Sequence, residues 1–98
     1  MPSACRKTDI GAGHDKCPDT GAISGSPDVE INGLSALRVG DALERHGCPK
    51  HKSHGRAVTE GSPTVFVNGI PLARVGDAID CGGEVAQGSS DVFADDNI

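Results

Sequence analysis

The sequence has few of the side chains with which a small protein builds a hydrophobic core. Its 98 residues include two phenylalanines and neither tryptophan nor tyrosine. Domains with so little core are usually held together by disulfides, a structural metal or an obligate partner. The four cysteines and four histidines are therefore the first residues to explain.

Other absences narrow the class of protein. No run of about 18 apolar residues is present, so no membrane-spanning helix is expected. Residues 1–7 lack the apolar core of a signal peptide, and we expect synthesis in the cytoplasm without Sec export. The formal net charge is −5 and the basic residues are not clustered, which argues against a nucleic-acid partner.

Catalytic motifs are also missing. The glycines form no phosphate-binding Gly-Lys-Ser loop, and there is no serine elbow. Asp41 and Asp77 recur at matching positions, so they are better explained as turn residues than as an acid–base pair. We therefore expect a protein that is not an enzyme.

What the sequence does contain is an internal repeat. The two full copies are residues 25–33 (GSPDVEING) with 38–42 (RVGDA), and residues 61–69 (GSPTVFVNG) with 74–78 (RVGDA). Weaker copies at residues 88–93 and 6–9 indicate a third unit, split between the two ends of the chain. Units of this kind bury their apolar faces on one another.

Each copy predicts a β-hairpin. Residues 29–31 and 65–67 are short β-branched or aromatic runs that end at Asn-Gly, a dipeptide suited to a type I′ turn. Second strands are predicted over residues 34–39 and 70–75. The helix candidate, residues 41–46 capped by Asp41, is too short to be stable alone. We predict one all-β domain over residues 1–98: a compact cone of three β-hairpin repeats around a pseudo-three-fold axis, with little or no helix.

A pattern of metal ligands follows the repeat. His14, His46 and Cys81 each follow a repeated aspartate at nearly constant distance, so a three-fold arrangement would bring them together. Tetrahedral zinc needs a fourth ligand. The candidates, which spacing alone does not separate, are Cys48, His51 and His54. Three histidines and one cysteine would form a closed structural site for one zinc ion per chain, contributing folding energy.

Two other interpretations of these residues stay open. The histidines could be surface residues and the cysteines small buried hydrophobes. The four cysteines could also form disulfides, although a chain without an export signal would keep them reduced. Cys5 is expected in the core, and Cys17 is a further alternative ligand.

The repeated motif resembles the PAAR-repeat proteins, which form the pointed tips of type VI secretion spikes and contractile phage tails. The likeness covers about residues 5–93 and depends on Gly-Ser-Pro-x-Val-x-x-Asn-Gly, followed by Arg-Val-Gly-Asp and a histidine or cysteine. The Pro-Ala-Ala-Arg element itself appears as residues 34–38 (LSALR) and 70–74 (IPLAR). Thr8-Asp9 stands where Gly-Asp is usual.

The resemblance implies a tip whose base docks on a trimeric spike protein, either VgrG-like or the central spike of a phage tail, and whose point binds zinc. His14, His46 and Cys81 match the family's ligand positions, and the resemblance favours His54 as the fourth ligand with His51 as the runner-up. It also implies transient contact with a target membrane during puncture. Because the chain ends soon after its last repeat, any effector cargo is expected to bind separately.

The repeat has a physical use in such a tip. A trimeric β-helix ends in three exposed strand edges, and three similar surfaces on one chain could cap them together. The candidates for the base or the core are Val29, Ile31, Val65, Val67, Val92 and Phe93. Alternative functions are a free-standing metal-binding module and an effector adaptor that binds another β-rich partner. Co-purification with a trimeric spike protein would favour the tip.

Overall fold

The computed structural model describes residues 2–12, 19–48, 51–80 and 83–94. This part of the chain consists of short strands and turns and has no helix, hence none long and apolar enough to cross a membrane. The strands pair consecutively as antiparallel hairpins, which confirms the all-β prediction. They are β1 (Ile10–Gly11), β2 (Thr20–Gly21), β3 (Glu30–Ile31), β4 (Leu34–Ser35), β5 (Ala42–Cys48), β6 (His51–Ala57), β7 (Phe66–Val67) and β8 (Ile70–Pro71).

Residues 41–46, the segment considered for a helix, lie mostly in β5, which agrees with the expectation of little or no helix. The strand pairs with β6, with Ala42 opposite Ala57. Asp41 does not cap a helix. Its carboxylate accepts hydrogen bonds from the backbone N–H and the Nε of Arg38, at 2.8 and 2.9 Å. A segment this short does not sustain a helix by itself, whereas as a strand it gains a partner.

The three units meet in a closed ring of backbone hydrogen bonds. Leu37 belongs to the first unit, Ala73 to the second and Cys5 to the third. The N–H of Cys5 donates to Ala73 at 3.0 Å, that of Ala73 to Leu37 at 2.8 Å, and that of Leu37 to Cys5 at 3.0 Å. The ring confirms the pseudo-three-fold arrangement and the division of the third unit between the two ends of the chain.

Each unit also repeats an arginine–aspartate turn. The pairs are Arg6–Asp9, Arg38–Asp41 and Arg74–Asp77, with nitrogen–oxygen distances of 2.9, 2.9 and 2.8 Å. In each turn the aspartate N–H donates to the arginine carbonyl at 3.0 Å. These aspartates are buried and have their arginine as partner, which agrees with the structural role predicted for Asp41 and Asp77.

The Asn-Gly turns have the predicted geometry, but the strands after them are shorter than predicted. The φ angles are 55° and 79° at Asn32 and Gly33, and 55° and 76° at Asn68 and Gly69. All four are positive, as a type I′ turn requires. The second strands, β4 and β8, are two residues long and do not extend over 34–39 and 70–75. Beyond them the chain leaves its own hairpin and bridges a neighbouring unit, as Ala36 does with Arg6.

Two buried clusters form the core. The upper cluster contains the ring residues and the apolar residues around β5: Cys5, Ala22, Leu37, Leu43, Val58, Ala73, Ile79 and Val85. The base cluster contains Ala4, Ile31, Ala36, Val67, Leu72 and Ala94. Cys5 is a core residue, as predicted, and burial raises the pKa of its thiol to about 12.

Thr8 has a backbone conformation that β-branched residues rarely adopt. Its φ is 81°, and the equivalent residues Gly40 and Gly76 have φ of 89° and 96°. We expect Thr8→Gly to raise the free energy of unfolding by about 1 kcal/mol, because glycine adopts positive φ without a clash from Cβ. Urea denaturation would measure this. Gly40→Thr is the matched control and should be destabilising; an unchanged or lower stability of Thr8→Gly would contradict the argument.

Candidate functional site

The β5–β6 hairpin carries two of the four predicted zinc ligands, His46 and His54, and the alternatives Cys48 and His51. In its register His46 lies opposite His54, and Cys48 lies opposite His51, with irregularities on both sides of His46. Directly opposed residues in antiparallel strands have Cα atoms about 4.5–5.5 Å apart. The backbone therefore brings together His46 and His54, the pair that the resemblance favours, and pairs the runner-up His51 with Cys48.

The other two predicted ligands, His14 and Cys81, lie outside the described residues, as does Cys17. Ala12 and Gly83, which are described and lie two residues away from His14 and Cys81 in the sequence, are close together in space. The N–H of Ala12 donates to the carbonyl of Glu84 at 2.7 Å, and Gly83 accepts from the N–H of Ile79 at 2.8 Å. Gly83 lies so near Ala12 that a Cβ at position 83 would collide with the Ala12 carbonyl oxygen.

This arrangement is compatible with a zinc ion. The glycine at position 83 allows the backbones that lead to His14 and Cys81 to approach closely, and the hairpin supplies two opposed histidines. Three imidazoles and one thiolate are a donor set that tetrahedral zinc accepts. Within the described ranges no three potential ligands lie together, so the four-ligand site stays a prediction.

The base cluster carries an exposed apolar surface. Equivalent carbonyls of Val29, Val65 and Val92 accept backbone hydrogen bonds at 2.9, 3.0 and 3.0 Å, so these valines occupy the same place in each unit. We call the exposed residues Val29, Phe66, Val92 and Phe93 the base face. Among the candidates for base or core, Ile31 and Val67 are buried in the core, and Val65 is half-buried.

Asparagine side chains join neighbouring units beside the base face. The amide of Asn68 donates to Asp28 at 2.7 Å, and that of Asn32 donates to Asp91 at 2.9 Å. These bonds, together with those from Ser26 and Ser89, lower the pKa of both carboxyl groups below the usual value of 3.8. The Asn-Gly asparagines thus have two roles, since they form the turn and link one unit to the next.

Sequence reasoning missed two residues that the structure makes prominent. Phe66 is 55 % exposed on the base face, although its two neighbours were considered for that surface. In the repeat, Phe66 aligns with Glu30 and Phe93. Because Phe93 was a candidate for the base, this alignment could have indicated Phe66 as well. Arg56 is 2 % exposed in β6 and lies outside the repeated motifs, so no sequence signal marked it.

The fold is that of a β-repeat protein in which three units surround one axis. A family model described as PAAR motif matches residues 12–87 and again residues 50–97. The chain therefore belongs to the PAAR-motif family. Membership indicates a role related to the spike tips of secretion or phage systems, and proteins of this family generally associate with spike proteins such as VgrG. A search of curated proteins finds no match.

Proposed function

We propose that this protein is the structural tip of a trimeric β-helical spike, in a type VI secretion system or a contractile phage tail. The observation that carries the proposal is the closed ring of Cys5, Ala73 and Leu37, which arranges three similar units of one chain around one axis. A monomer of this kind can present three similar surfaces to a partner with true three-fold symmetry. Its role is mechanical, not catalytic.

The base face is the surface that meets the spike. Val29 and Val92 occupy one position of the repeat, and Phe66 and Phe93 occupy the next. Each of them is exposed and lies within two residues of a member of the buried base cluster. The end of a trimeric β-helix exposes unpaired strand edges, which invite pairing with other chains unless they are covered. Docking would cover both surfaces and leave the rest of the tip free to meet a target membrane.

We further propose that zinc stiffens the protein by joining the β5–β6 hairpin to the segments that hold His14 and Cys81. One metal ion held by separate segments would fix them where the apolar core is small. The opposed positions of His46 and His54 support this part of the proposal. A closed zinc site of this composition contributes to folding.

Binding to a purified trimeric VgrG-like spike protein from the same source tests the proposal. Light scattering should detect one chain per trimer. Phe66→Asp should weaken binding about tenfold or more in calorimetry, because buried aromatic anchors dominate interface energies. Ile23→Asp is the matched control, since Ile23 is 54 % exposed but lies off the base face, and it should bind normally.

Two results would contradict the proposal. A chain that stays monomeric in mixtures with the spike would favour a free-standing metal-binding module. Equal weakening by Ile23→Asp and Phe66→Asp would place the contact on another surface.

A further inference from the structure

Arg56 is the largest fully buried side chain among the described residues. The position of Arg56 in the repeat follows from that of Val58, which lies two residues later and has an equivalent in each of the other units. Backbone carbonyls of Ala22, Val58 and Val85 accept equivalent bonds from the turn residues of the three units, at 2.9, 2.8 and 2.8 Å. Two positions before them lie Thr20, Arg56 and Gly83. Arg56 is therefore the one long side chain in a layer whose equivalent positions hold a threonine and a glycine.

The guanidinium of Arg56 joins the two strands that border residues 13–18. Its Nη1 donates to the carbonyl of Gly11 at 3.3 Å and to the hydroxyl of Thr20, while its Nη2 donates to the carbonyl of Ala12. Gly11 and Ala12 precede that segment, and Thr20 follows it. One side chain from β6, the strand of His54, thus binds the chain both before and after the segment that contains His14.

The same guanidinium also lies against Gly83. A Cβ built on Gly83 would lie 3.0 Å from Nη2, so the absence of a side chain there makes room for Arg56. Gly83 follows residues 81–82, which include the predicted ligand Cys81. The contacts of Arg56 therefore reach all three parts of the chain that carry predicted zinc ligands.

The need to fill space in this layer does not explain why residue 56 is an arginine. Burial of a cation is unfavourable unless it is paired. In the part of the chain that the structure describes, no carboxylate forms an ion pair with Arg56, and its Nε has no hydrogen-bond partner. An apolar side chain such as Leu43 or Ile79, which pack in the upper cluster, would fill the same space without that cost.

We propose that Arg56 is a positioning residue that holds the backbone segments around the zinc site in the arrangement that binds the metal. This inference rests on the proposed function, because it needs the zinc site. The guanidinium has the planar fork of donors needed to bind acceptors on two strands at once. Lysine keeps the charge and a long stem but has only one compact ammonium group.

Zinc affinity of Arg56→Lys tests the inference. We expect about tenfold weaker zinc binding in competition with a chromogenic chelator, a loss typical of residues that orient metal ligands. The visible spectrum of the Co²⁺-substituted protein should also change, because it reports coordination geometry, which a merely stabilising residue would leave intact. Arg38→Lys is the matched control. Arg38 donates to Asp41, Asn68 and the carbonyl of Gly25, not to the residues that Arg56 contacts, so the zinc affinity of this variant should stay within twofold.

The outcomes distinguish a failure of this inference from a failure of the zinc part of the proposed function. If the parent protein binds no zinc, both the zinc part of the proposed function and this inference fail. If Arg56→Lys binds zinc and Co²⁺ as the parent does, the inference alone fails. Tighter zinc binding by Arg56→Met would also overturn it, since the arginine charge would then oppose the metal.

A second variant covers the case in which Arg56→Lys does not fold. Thr20→Val removes one acceptor of the guanidinium and keeps the shape of the side chain. We expect roughly fivefold weaker zinc binding, which corresponds to about one lost hydrogen bond. Unchanged affinity and an unchanged Co²⁺ spectrum in this variant would contradict the inference.

Discussion

Removal of zinc is expected to lower the melting temperature of the protein by roughly 20 °C. A ligand that binds only the folded state, at a free concentration about 1,000 times its Kd, stabilises by about 4 kcal/mol. For a domain of this size each kcal/mol corresponds to roughly 4–8 °C. Circular dichroism before and after dialysis against a chelator measures the shift, and elemental mass spectrometry should find near one zinc per chain.

Alanine variants of the histidines and Cys81 identify the ligands. We expect His14→Ala, His46→Ala, His54→Ala and Cys81→Ala to lose zinc and to melt like the chelated protein. His51→Ala is the control and should retain both zinc and stability, since β6 places His54, not His51, opposite His46. Loss of zinc in His51→Ala but not in His54→Ala would reverse the choice of ligand. A parent protein whose melting temperature does not respond to the chelator has no structural zinc site.

The sequence predicted the architecture because the repeat carries its own symmetry. Two strong copies and two half-copies were enough to expect three units, and the ring of Cys5, Leu37 and Ala73 has that arrangement. The Asn-Gly turns were predictable for a local reason, since both residues must adopt positive φ. Such features depend on neighbours in sequence or on the period of the repeat.

Features that depend on contacts outside the repeated motif or between units were not predictable. Residues 41–46 have a capping aspartate and could form a helical turn, but pairing with β6 decides their conformation. The short strands β4 and β8 end because the chain turns to a neighbouring unit. Arg56 has acceptors on β1 and β2, far away in sequence, and no local pattern indicates where its donors go.

Leu37→Ala is expected to lower the free energy of unfolding by about 3 kcal/mol. Leu37 is fully buried in the upper cluster, and its equivalents Cys5 and Ala73 are smaller, so Leu37 has the largest side chain of the three ring residues. Truncation of a buried leucine removes contacts and leaves a cavity, at a cost of about 2–5 kcal/mol. Urea denaturation measures the loss. Val29→Ala, at an exposed position, is the control and should change stability by less than about 1 kcal/mol.

The pseudo-three-fold axis makes a stronger test possible, because the leucine can be moved from one unit to the next. Ala73→Leu alone should destabilise by about 1–3 kcal/mol, since it adds volume to a filled layer. In the double variant Leu37→Ala with Ala73→Leu, we expect the new side chain to occupy part of the space that the old one left, because both residues belong to the upper cluster. We expect the double variant to lose at least about 1 kcal/mol less than the sum of the single losses. If the losses of the two single variants simply add up in the double variant, positions 37 and 73 do not share one buried space. The units would then be equivalent only in their backbone hydrogen bonds.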